Sequence, residues 1–403
     1  MGEVQNTVAS GLCLGCGLCA SHIGEGKVEM RLSGSGFLRP IEKKPLSAAA
    51  NKKFLAICPA RNLSLRPDPA AEVNRVWGPL VRVRTAWATD GEVRFKGSSG
   101  GGISAICIHL LEEGQIDFVA QIAVDKQRPL INRIQRSRTR EDILHAAGSR
   151  YAPAAPLENI EQLFEGGEKF AFVGKPCDVG AMRSYLREHP QSAHQVVALL
   201  SFMCAGVPSM RGTEEVLSAL GTTASDVSSF QYRGNGWPGY ATAVTHDGRT
   251  LEMDYNSSWG NILGKHLQLR CKLCPDGTGE FADIVCADAW HGKDGYPDFA
   301  ERDGRSLLLT RSRQGERIVQ SAADAKSLQL EDLPVEDIAG MQPYQKNRKE
   351  VVFGRWLGYS ARRGLFPRFS QLRLIRNLLS GGITPALKNA WGTARRLRGG
   401  HED

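Results

Sequence analysis

The residues of this chain best suited to bind a metal are cysteines at regular spacing. Residues 11 to 21 read GLCLGCGLCAS, which places Cys13, Cys16 and Cys19 at three-residue intervals. Three thiolates this close together can hold a zinc ion or an iron–sulfur cluster, or can belong to a disulfide framework. Cys58, which is followed by Pro59, offers a fourth thiol and reproduces the cysteine–proline ending of ferredoxin motifs. We call Cys13, Cys16, Cys19 and Cys58 the first cysteine set.

The spacing of the first cysteine set favours a 4Fe–4S cluster, with zinc as the alternative. Structural zinc sites usually take their ligands as two separated pairs, whereas cubane clusters are commonly held by a closely spaced triplet and one distant cysteine. A two-cluster ferredoxin would carry its next cysteine at position 23, which is isoleucine here. The chain has ten cysteines and no secretory signal at its N-terminus, so structural disulfides are not expected.

A second group of cysteines is spread along the chain. Cys271 and Cys274 form another CxxC, Cys177 lies in FVGKPCDVGA, and Cys204 ends the apolar run in SFMCAG. Two parallel strands that end at one edge of a sheet would bring Cys177 and Cys204 together, and the CxxC loop would complete four ligands. We call these four residues the second cysteine set. Its spacing alone is a weaker signal than that of the first set.

The elements that must position these cysteines alternate between strand and helix patterns. Strands are predicted at 82–90, 116–124 and 196–206, a helix at 103–114, and a strand, turn and helix at 169–188. This alternation predicts an α/β core with parallel strand pairs. Residues 227 to 260 instead have the short, aromatic and Gly-rich pattern of an antiparallel addition.

The net charge of +8 is concentrated at the C-terminus. From Lys346 onwards there are 13 Lys and Arg against 3 Asp and Glu, and the remaining residues hold 38 basic and 40 acidic side chains. A near-neutral body argues against nucleic-acid binding. The tail predicts an amphipathic helix around 369–379, packed on its own domain with a solvated basic face. Contact with an anionic membrane or an acidic partner is the alternative. No apolar run is long enough to span a bilayer, so we expect a cytoplasmic protein.

Six segments taken together resemble the beta-subunit family of coenzyme F420 hydrogenase and dehydrogenase, which includes ferredoxin-linked reductases of chlorophyll intermediates. They are GSSGGG, GSRY, GKPCDVGAMR, FMCAGVPS, YRGNGWPG and CKLCPDGTGEFADIVCADAW, and the resemblance covers about residues 10 to 345. It implies a mixed α/β core that binds FAD and carries two 4Fe–4S clusters. The second cysteine set matches the ligands of the cluster nearest the flavin, and the first set matches an additional ferredoxin-like cluster.

The resemblance also implies a flavin site in the loop KGSSGGGIS at 96–104, expected to join a strand to a helix. Backbone N–H groups of such a loop can approach a pyrophosphate or a flavin ring. The loop matches neither the dinucleotide-binding nor the P-loop pattern. Arg150 is expected to contact phosphate, and Lys175 to lie near the flavin or substrate, with surface charge as the alternative for both. The full set of expected flavin contacts is Ser98, Ser99, Gly100, Gly101, Gly102, Arg150, Tyr151 and Lys175.

A proton donor is expected near the flavin, and position in the motifs suggests Asp288, His291 or Asp178, with Asp288 and His291 as the two preferred candidates. A hydrogen-bonded structural role is the alternative for each. The chain departs from the family at Cys286, where a small residue is usual, so this thiol is a competing ligand candidate. Cys107, on the apolar face of its helix, is expected to be core. No deazaflavin-specific motif is found.

These features predict four segments: a ferredoxin-like 4Fe–4S segment (1–75), the N-terminal part of an FAD-binding core (76–165), the C-terminal part with the second 4Fe–4S site (166–345) and a basic helical tail (346–403). The predicted protein is a reductase that passes electrons from ferredoxin or a similar donor through two clusters to FAD and then to a small organic substrate. One alternative is an electron-transfer subunit of a larger hydrogenase or dehydrogenase that reduces a deazaflavin. A zinc-stabilised binding protein with a basic tail is another. A homo-oligomer is compatible with the sequence.

Overall fold

The computed structural model describes residues 2–23, 26–293 and 296–399. It begins with a small segment that carries the first cysteine set. The helices of this segment are α1 (Glu3–Ala9), α2 (Leu18–His22) and α3 (Ala48–Ile57), and its strands are β1 (Val28–Leu32), β2 (Leu38–Glu42) and β3 (Asn62–Ser64). Strands β1 and β2 form an antiparallel hairpin. A second hairpin, β4 (Glu72–Asn74) and β5 (Gly78–Leu80), leads into the core.

The first half of the core alternates strands and helices. Its strands are β6 (Arg82–Ala88), β7 (Phe118–Val124), β8 (Asn132–Ser137), β9 (Phe170–Val173) and β10 (Val196–Phe202). Its helices are α4 (Gly91–Lys96), α5 (Gly102–Glu112), α6 (Arg140–His145), α7 (Ile160–Leu163) and α8 (Pro176–Glu188).

The second half of the core contains the predicted antiparallel addition and the remaining sheet strands. Its helices are α9 (Met210–Ala219), α10 (Leu269–Lys272) and α11 (Arg313–Asp324). Its strands are β11 (Val227–Gln231), β12 (Ala241–Thr245), β13 (Thr250–Met253), β14 (Ile284–Asp288), β15 (His291–Lys293), β16 (Tyr296–Asp298), β17 (Ser306–Thr310) and β18 (Leu328–Asp332). Strands β11, β12 and β13 form a separate antiparallel sheet, as the sequence predicts.

Eight strands form the central sheet in the order β18-β6-β17-β14-β10-β9-β7-β8. The four adjacent strands β14, β10, β9 and β7 run parallel to one another, and the pairings on either side of them, with β17 and with β8, are antiparallel. Residues of β17, SLLLT, are buried along their whole length, as expected for a strand covered on both faces. The predicted mixed α/β fold is confirmed.

The C-terminal tail consists mainly of helices and packs on both the core and the N-terminal segment. Its elements are α12 (Ile338–Met341), α13 (Pro343–Arg363), β19 (Arg368–Ser370), α14 (Leu374–Gly381) and α15 (Ile383–Arg396). Strand β19 pairs in parallel with β3, and the Tyr359 hydroxyl donates to the carbonyl of Ser10 at 2.8 Å. Helix α13 runs through the predicted segment boundary at 345/346, and the division into four segments stays a prediction.

Two local predictions were wrong. The tail helix begins at Leu374 rather than near 369, because 368–370 form β19 and because Gln371 and Arg373 have left-handed backbone conformations with φ of 64° and 54°. The Gly/Ser loop follows a short helix, α4, and not a strand. That helix starts because the Asp90 carboxylate accepts the N–H groups of Glu92 and Val93.

In the parts of the chain that the structure describes, no helix combines the length and the apolar character that a bilayer span requires.

Candidate functional site

The four thiols of the first cysteine set surround one small cavity. The cavity measures about 30 Å³ and is also lined by apolar side chains, among them Val4, Leu18, Met30 and Phe54. Cys19 lies in the short helix α2, and Cys58 immediately follows α3. The structure therefore brings together the triplet and the distant cysteine that the spacing predicted as one group.

Two glycines allow the CxxCxxC turn to form. Gly15 and Gly17 have φ angles of 73° and 87°, which favour glycine. A Cβ at Gly17 would lie 2.6 Å from the backbone nitrogen of Glu158, and one at Gly15 would lie 2.8 Å from the carbonyl oxygen of Leu38. The Gly15 N–H also donates to the Cys13 sulfur at 3.4 Å. These positions fix the thiols and bring a backbone donor to one of them.

Burial makes the first set unfavourable as free thiolates. Burial, followed by the charge of the Cys13 thiol, raises the pKa of Cys58 to about 12. Burial and the charges of the other three thiols also raise the pKa of Cys19 well above its usual range. Buried thiolates repel one another unless a cation binds them, so this arrangement fits a positively charged metal centre.

Three separate parts of the chain supply the second cysteine set. Cys177 lies in the first turn of α8, Cys204 follows β10, and Cys271 and Cys274 lie in and just after α10. Strands β9 and β10 are parallel neighbours, and α8 follows β9 directly, as the sequence predicts for these two cysteines. Burial, then the charge of Cys271, raises the pKa of Cys204 to about 12, and Cys274 acts on it in the same direction.

Donors and cations surround the second set. The Gln268 side-chain amide and the Val207 N–H donate to the Cys271 sulfur at 3.3 Å and 3.4 Å. Burial alone would lower the pKa of Lys175, but the Asp178 carboxylate, 2.6 Å from its ammonium, and the nearby Cys177 raise it. Arg348 donates to the Cys204 carbonyl at 2.8 Å. Positive charge and N–H groups near sulfur favour thiolate ligands.

Buried ion pairs hold the loop that carries Cys274. The Lys349 ammonium contacts Glu280 and donates to the Pro275 carbonyl at 3.0 Å. Arg373, in the tail, contacts the same Glu280 carboxylate. Lys349 and Glu280 are almost completely buried. The tail therefore fixes the loop through charges that lie away from solvent.

The donor chemistry of both sets fits an iron–sulfur cluster better than a single zinc ion. Within residues 2–23, 26–293 and 296–399, no three His, Cys, Asp or Glu side chains are arranged to hold one metal ion. Tetrahedral zinc with Zn–S bonds of about 2.3 Å would need sulfur atoms only roughly 3.8 Å apart. A cubane cluster is usually held by four cysteine thiolates, and each set supplies four cysteines.

A large cavity lies beside the second set. It measures about 760 Å³, within the range of roughly 300 to 1,000 Å³ that is usual for small-molecule and cofactor sites. Cys204 forms part of its wall. The expected flavin contacts that line it are Ser98, Ser99, Gly101, Gly102, Arg150, Tyr151 and Lys175.

The expected flavin contacts play unequal parts in the cavity. Gly100 is outside the lining, among the residues described, and donates its N–H to the Ser306 hydroxyl at 2.9 Å. Arg150 donates to the Asn132 side chain at 2.8 Å and to two backbone carbonyls, so much of its hydrogen-bonding capacity is used within the protein. Tyr151 packs on Trp259, with ring centroids 4.5 Å apart. Phosphate binding by Arg150 stays a prediction.

The two preferred proton donors lie in different surroundings. Arg233 donates to both carboxylate oxygens of Asp288, at 3.0 Å and 2.6 Å, and the Trp237 indole N–H donates at 2.7 Å. These contacts favour an anchoring role for Asp288. His291 lies in β15 and, among the described residues, is not part of the cavity lining. Burial and the charges of Arg305 and Arg302 lower its pKa.

Cys286 lies on the cavity wall rather than in the second set. A Cβ at Gly102 would be 3.2 Å from its sulfur, and burial raises its pKa to about 12. Burial, and then the charge of Cys286, raises the pKa of Cys107, which is completely buried in the core, as expected. The placement beside Gly102 and Cys107 gives no support to Cys286 as a competing ligand.

Buried side chains next to Cys271 also make hydrogen bonds towards the N-terminal segment. Arg39 donates to the side-chain oxygen of Gln268 at 3.1 Å, and Gln268 in turn donates to the Cys271 sulfur. Two residues after Gln268, Arg270 in α10 donates to the carbonyl of Pro59, the residue after Cys58, at 3.5 Å. The sequence motifs do not indicate Gln268, Arg348 or Lys349 as residues beside the second cysteine set. Only Gln268, three residues before Cys271, carried a local signal.

Comparisons with known proteins match the core. The family described as coenzyme F420 hydrogenase/dehydrogenase beta subunit matches with its N-terminal part over residues 83–161 and with its C-terminal part over residues 167–336. Both matches begin after the first cysteine set.

Individual relatives are 20% to 26% identical to this chain over the aligned regions. The chain is similar to the coenzyme F420 hydrogenase subunit beta of Methanococcus voltae, with 26% identity over 68% of this chain and 95% of the relative. It is 25% identical to the coenzyme F420-dependent sulfite reductase of Methanocaldococcus jannaschii, over 59% of this chain but only 37% of that protein. A chain of the F420-reducing NiFe hydrogenase complex from Methanosarcina barkeri shares the fold, with a TM-score of 0.52, 20% identity, and coverage of 72% of this chain and 96% of that one.

Proposed function

Because this chain belongs to the coenzyme F420 hydrogenase/dehydrogenase beta-subunit family, we propose that it exchanges electrons with coenzyme F420 as one subunit of a larger oxidoreductase. It is an oxidoreductase subunit of that family. The observation that carries the proposal is the position of Cys204, which belongs to the second cysteine set and also forms part of the wall of the 760 Å³ cavity. A redox centre at that position lies next to the space in which a hydride carrier would bind.

The residues of this chain fit two 4Fe–4S clusters and one FAD. The first cysteine set would hold one cluster, the second set the other, and the Gly/Ser loop before α5 would contact the flavin. Clusters supply one-electron transfer, and a flavin converts between one-electron and two-electron chemistry. Gly101 has a φ of 73° at the start of α5, which opens backbone N–H groups of the helix towards the cavity.

In this proposal, the charged residues that line the cavity hold other groups in position and do not themselves react. Asp288 holds the Arg233 guanidinium, which lies over the rings of Tyr255 and Trp290 with centroid distances of 4.7 Å and 5.1 Å. Fixed in this way, Arg233 presents a buried positive charge beside an aromatic wall. Asp288 is therefore proposed as a positioning residue. Lys175, which also lines the cavity, is held by Asp178 and keeps its charge because of that carboxylate.

The second candidate function is a reductase that takes electrons from ferredoxin and reduces another small organic molecule. The first cysteine set favours it, because that set lies outside residues 83–336 and adds a second redox site to the core. An added site of this kind gives the chain its own place for electrons to enter.

An anaerobic assay with purified chain separates these functions. The chain is mixed with reduced coenzyme F420 and a viologen dye as electron acceptor, and dye reduction is followed in a sealed cuvette. We expect dye reduction that requires both coenzyme and protein. The matched control is the Cys204→Ala variant, which we expect to be inactive. No dye reduction by a fully loaded protein, combined with oxidation of reduced ferredoxin by that protein, would favour the second candidate.

A copurification experiment tests the assembly. The tagged chain is expressed in its native host and isolated anaerobically under low salt. We expect a hydrogenase-type or dehydrogenase-type subunit to be recovered in a fixed ratio. A chain that elutes alone and is fully active with coenzyme F420 would contradict the subunit proposal.

A further inference from the structure

An apolar stripe runs along the outer face of the last two helices. Its residues are spaced four apart, and each is more than 60% exposed. The residues are Ile375 and Leu379 in α14 and Ile383, Leu387 and Trp391 in α15. We call these five residues the C-terminal stripe. Scattered single apolar residues need no explanation, but five large apolar side chains that are each more than 60% exposed on two consecutive helices indicate a surface that meets something apolar.

Packing on a neighbouring side of α15 fixes the direction of the stripe. Helix α15 lies so close to α13 that a Cβ at Gly354 or Gly358 would collide with the carbonyl oxygens of Ala386 and Ala390. Ala386 and Thr393 are buried on that side of α15. Because these contacts need α15 in one orientation, the helix cannot rotate to bury the stripe in its own domain.

Basic residues border the stripe, and acidic ones are absent from this part of the sequence. Arg376, Lys388, Arg395 and Arg398 are all exposed on the same two helices and the turn after them. Residues 351 to 401 contain no Asp or Glu. On a helical wheel, Lys388 and Arg395 lie beside Trp391, so the positive charges follow one edge of the apolar face. This pattern complements a layer with an apolar interior and negative charges at its boundary with water.

We propose that the C-terminal stripe docks on an anionic lipid membrane, with the two helices lying in the plane of the interface. Helices that bind in this way have Leu, Ile and Trp on one face and Lys and Arg beside it. Trp391 suits the boundary between acyl chains and headgroups. Each basic residue near a negatively charged leaflet adds attraction, which salt weakens. The contact is peripheral, and it would keep the cofactor-bearing core beside the membrane surface.

Vesicle sedimentation with the full-length, cofactor-loaded protein tests the proposal. Vesicles of pure phosphatidylcholine are compared with vesicles that contain phosphatidylglycerol as about a third of their lipid. We expect the protein to pellet with the anionic vesicles at least ten-fold more tightly than with the neutral ones, and less in high salt. Equal binding to both, or no binding to either, would overturn the proposal.

Matched variants assign the binding to the stripe. Leu387→Glu/Trp391→Glu should weaken binding to the anionic vesicles at least ten-fold. The control, Leu32→Glu/Val73→Glu, changes two apolar residues that are also about half exposed but lie elsewhere, and it should bind as the wild type does. Equal binding by the stripe variant, with its circular dichroism spectrum unchanged, would overturn the proposal. So would a wild-type dimer that the stripe variant converts to a monomer, because the stripe would then be a contact between protein copies.

Discussion

The two cysteine sets reach comparable four-thiol arrangements by different routes. The first set comes from one short segment, in which two turn glycines and the end of α3 place all four sulfurs. The second set needs two parallel strands, the start of α8, the helix α10 and ion pairs to the tail. The first site is therefore a local property of the sequence, whereas the second depends on the whole core being folded.

The two sets also differ in nearby charge. Arg61, which lies near Cys58, is paired with Glu3 at 3.2 Å. Arg348, near Cys204, donates instead to carbonyl groups and to the Tyr344 hydroxyl, which are uncharged. Additional positive charge stabilises the reduced form of a bound cluster. We therefore expect the second set to have the higher potential, which favours electron transfer from the first set towards the cavity.

The largest effect is expected when one cysteine ligand is removed from either set, which tests whether the two sets hold separate clusters. In Cys204→Ala and in Cys16→Ala, we expect the iron content to fall from about eight to about four atoms per chain, because each set holds its own cluster. Iron and acid-labile sulfide are measured on anaerobically purified protein. Cys107→Ala is the control and should retain all its iron. If either ligand variant lost all its iron, the two sets would not be independent sites.

The buried ion pair behind the second set should matter for stability. Lys349→Met removes the ammonium group that contacts Glu280 and leaves that buried carboxylate with fewer partners. We expect unfolding free energy to fall by about 3 kcal/mol, measured by urea denaturation. Lys346→Met, on the same helix but half exposed and paired with Glu350, should change it by less than about 0.5 kcal/mol. Equal effects would mean that burial of the pair is not important.

The charge difference is tested by Arg348→Gln. We expect the potential of the second cluster to fall by roughly 50 to 100 mV, because a unit charge at close range in a protein is worth about 2 kcal/mol and 59 mV equals about 1.4 kcal/mol for one electron. Redox titration followed by electron paramagnetic resonance measures both clusters in one sample. Arg61→Gln, whose charge is already balanced by Glu3, should shift the first cluster less. A shift of the first cluster in Arg348→Gln would contradict the assignment.

The smallest effect is expected from the loss of one hydrogen bond to the Cys271 sulfur. Gln268→Leu removes the amide that donates to Cys271 but leaves the Val207 N–H in place. A hydrogen bond worth about 1 kcal/mol corresponds to a decrease of roughly 40 mV in the potential of the second cluster. The same titration measures it, with iron content as the check that the cluster is intact. An unchanged potential would show that this donor does not act on the sulfur.

The sequence indicated the sites that depend on local spacing better than those that depend on side-chain contacts. The triplet at 13, 16 and 19 could be grouped from its spacing, and Cys177 and Cys204 from the ends of two predicted parallel strands. Arg348 and Lys349 could not be found, because α13 reaches the second set only in the folded chain. The partner of Asp288 was missed for the same reason, since Arg233 is 55 residues away in sequence.

Fold prediction failed where backbone conformation or a cap overrode the pattern of apolar residues. Leucine spacing near 369–379 predicted one helix, but left-handed conformations at Gln371 and Arg373 delay its start to Leu374. An Asp cap before Glu92 created α4, which strand alternation in 82–90 did not indicate. Strands β7, β9 and β10 of the central sheet were easier to predict, because their buried apolar runs leave few alternatives.

Elemental and cofactor analysis of the anaerobically isolated chain measures directly what the eight thiols hold. We predict about eight iron atoms, about eight acid-labile sulfides and one FAD per chain. Zinc in place of iron, with no acid-labile sulfide and no flavin, would contradict it.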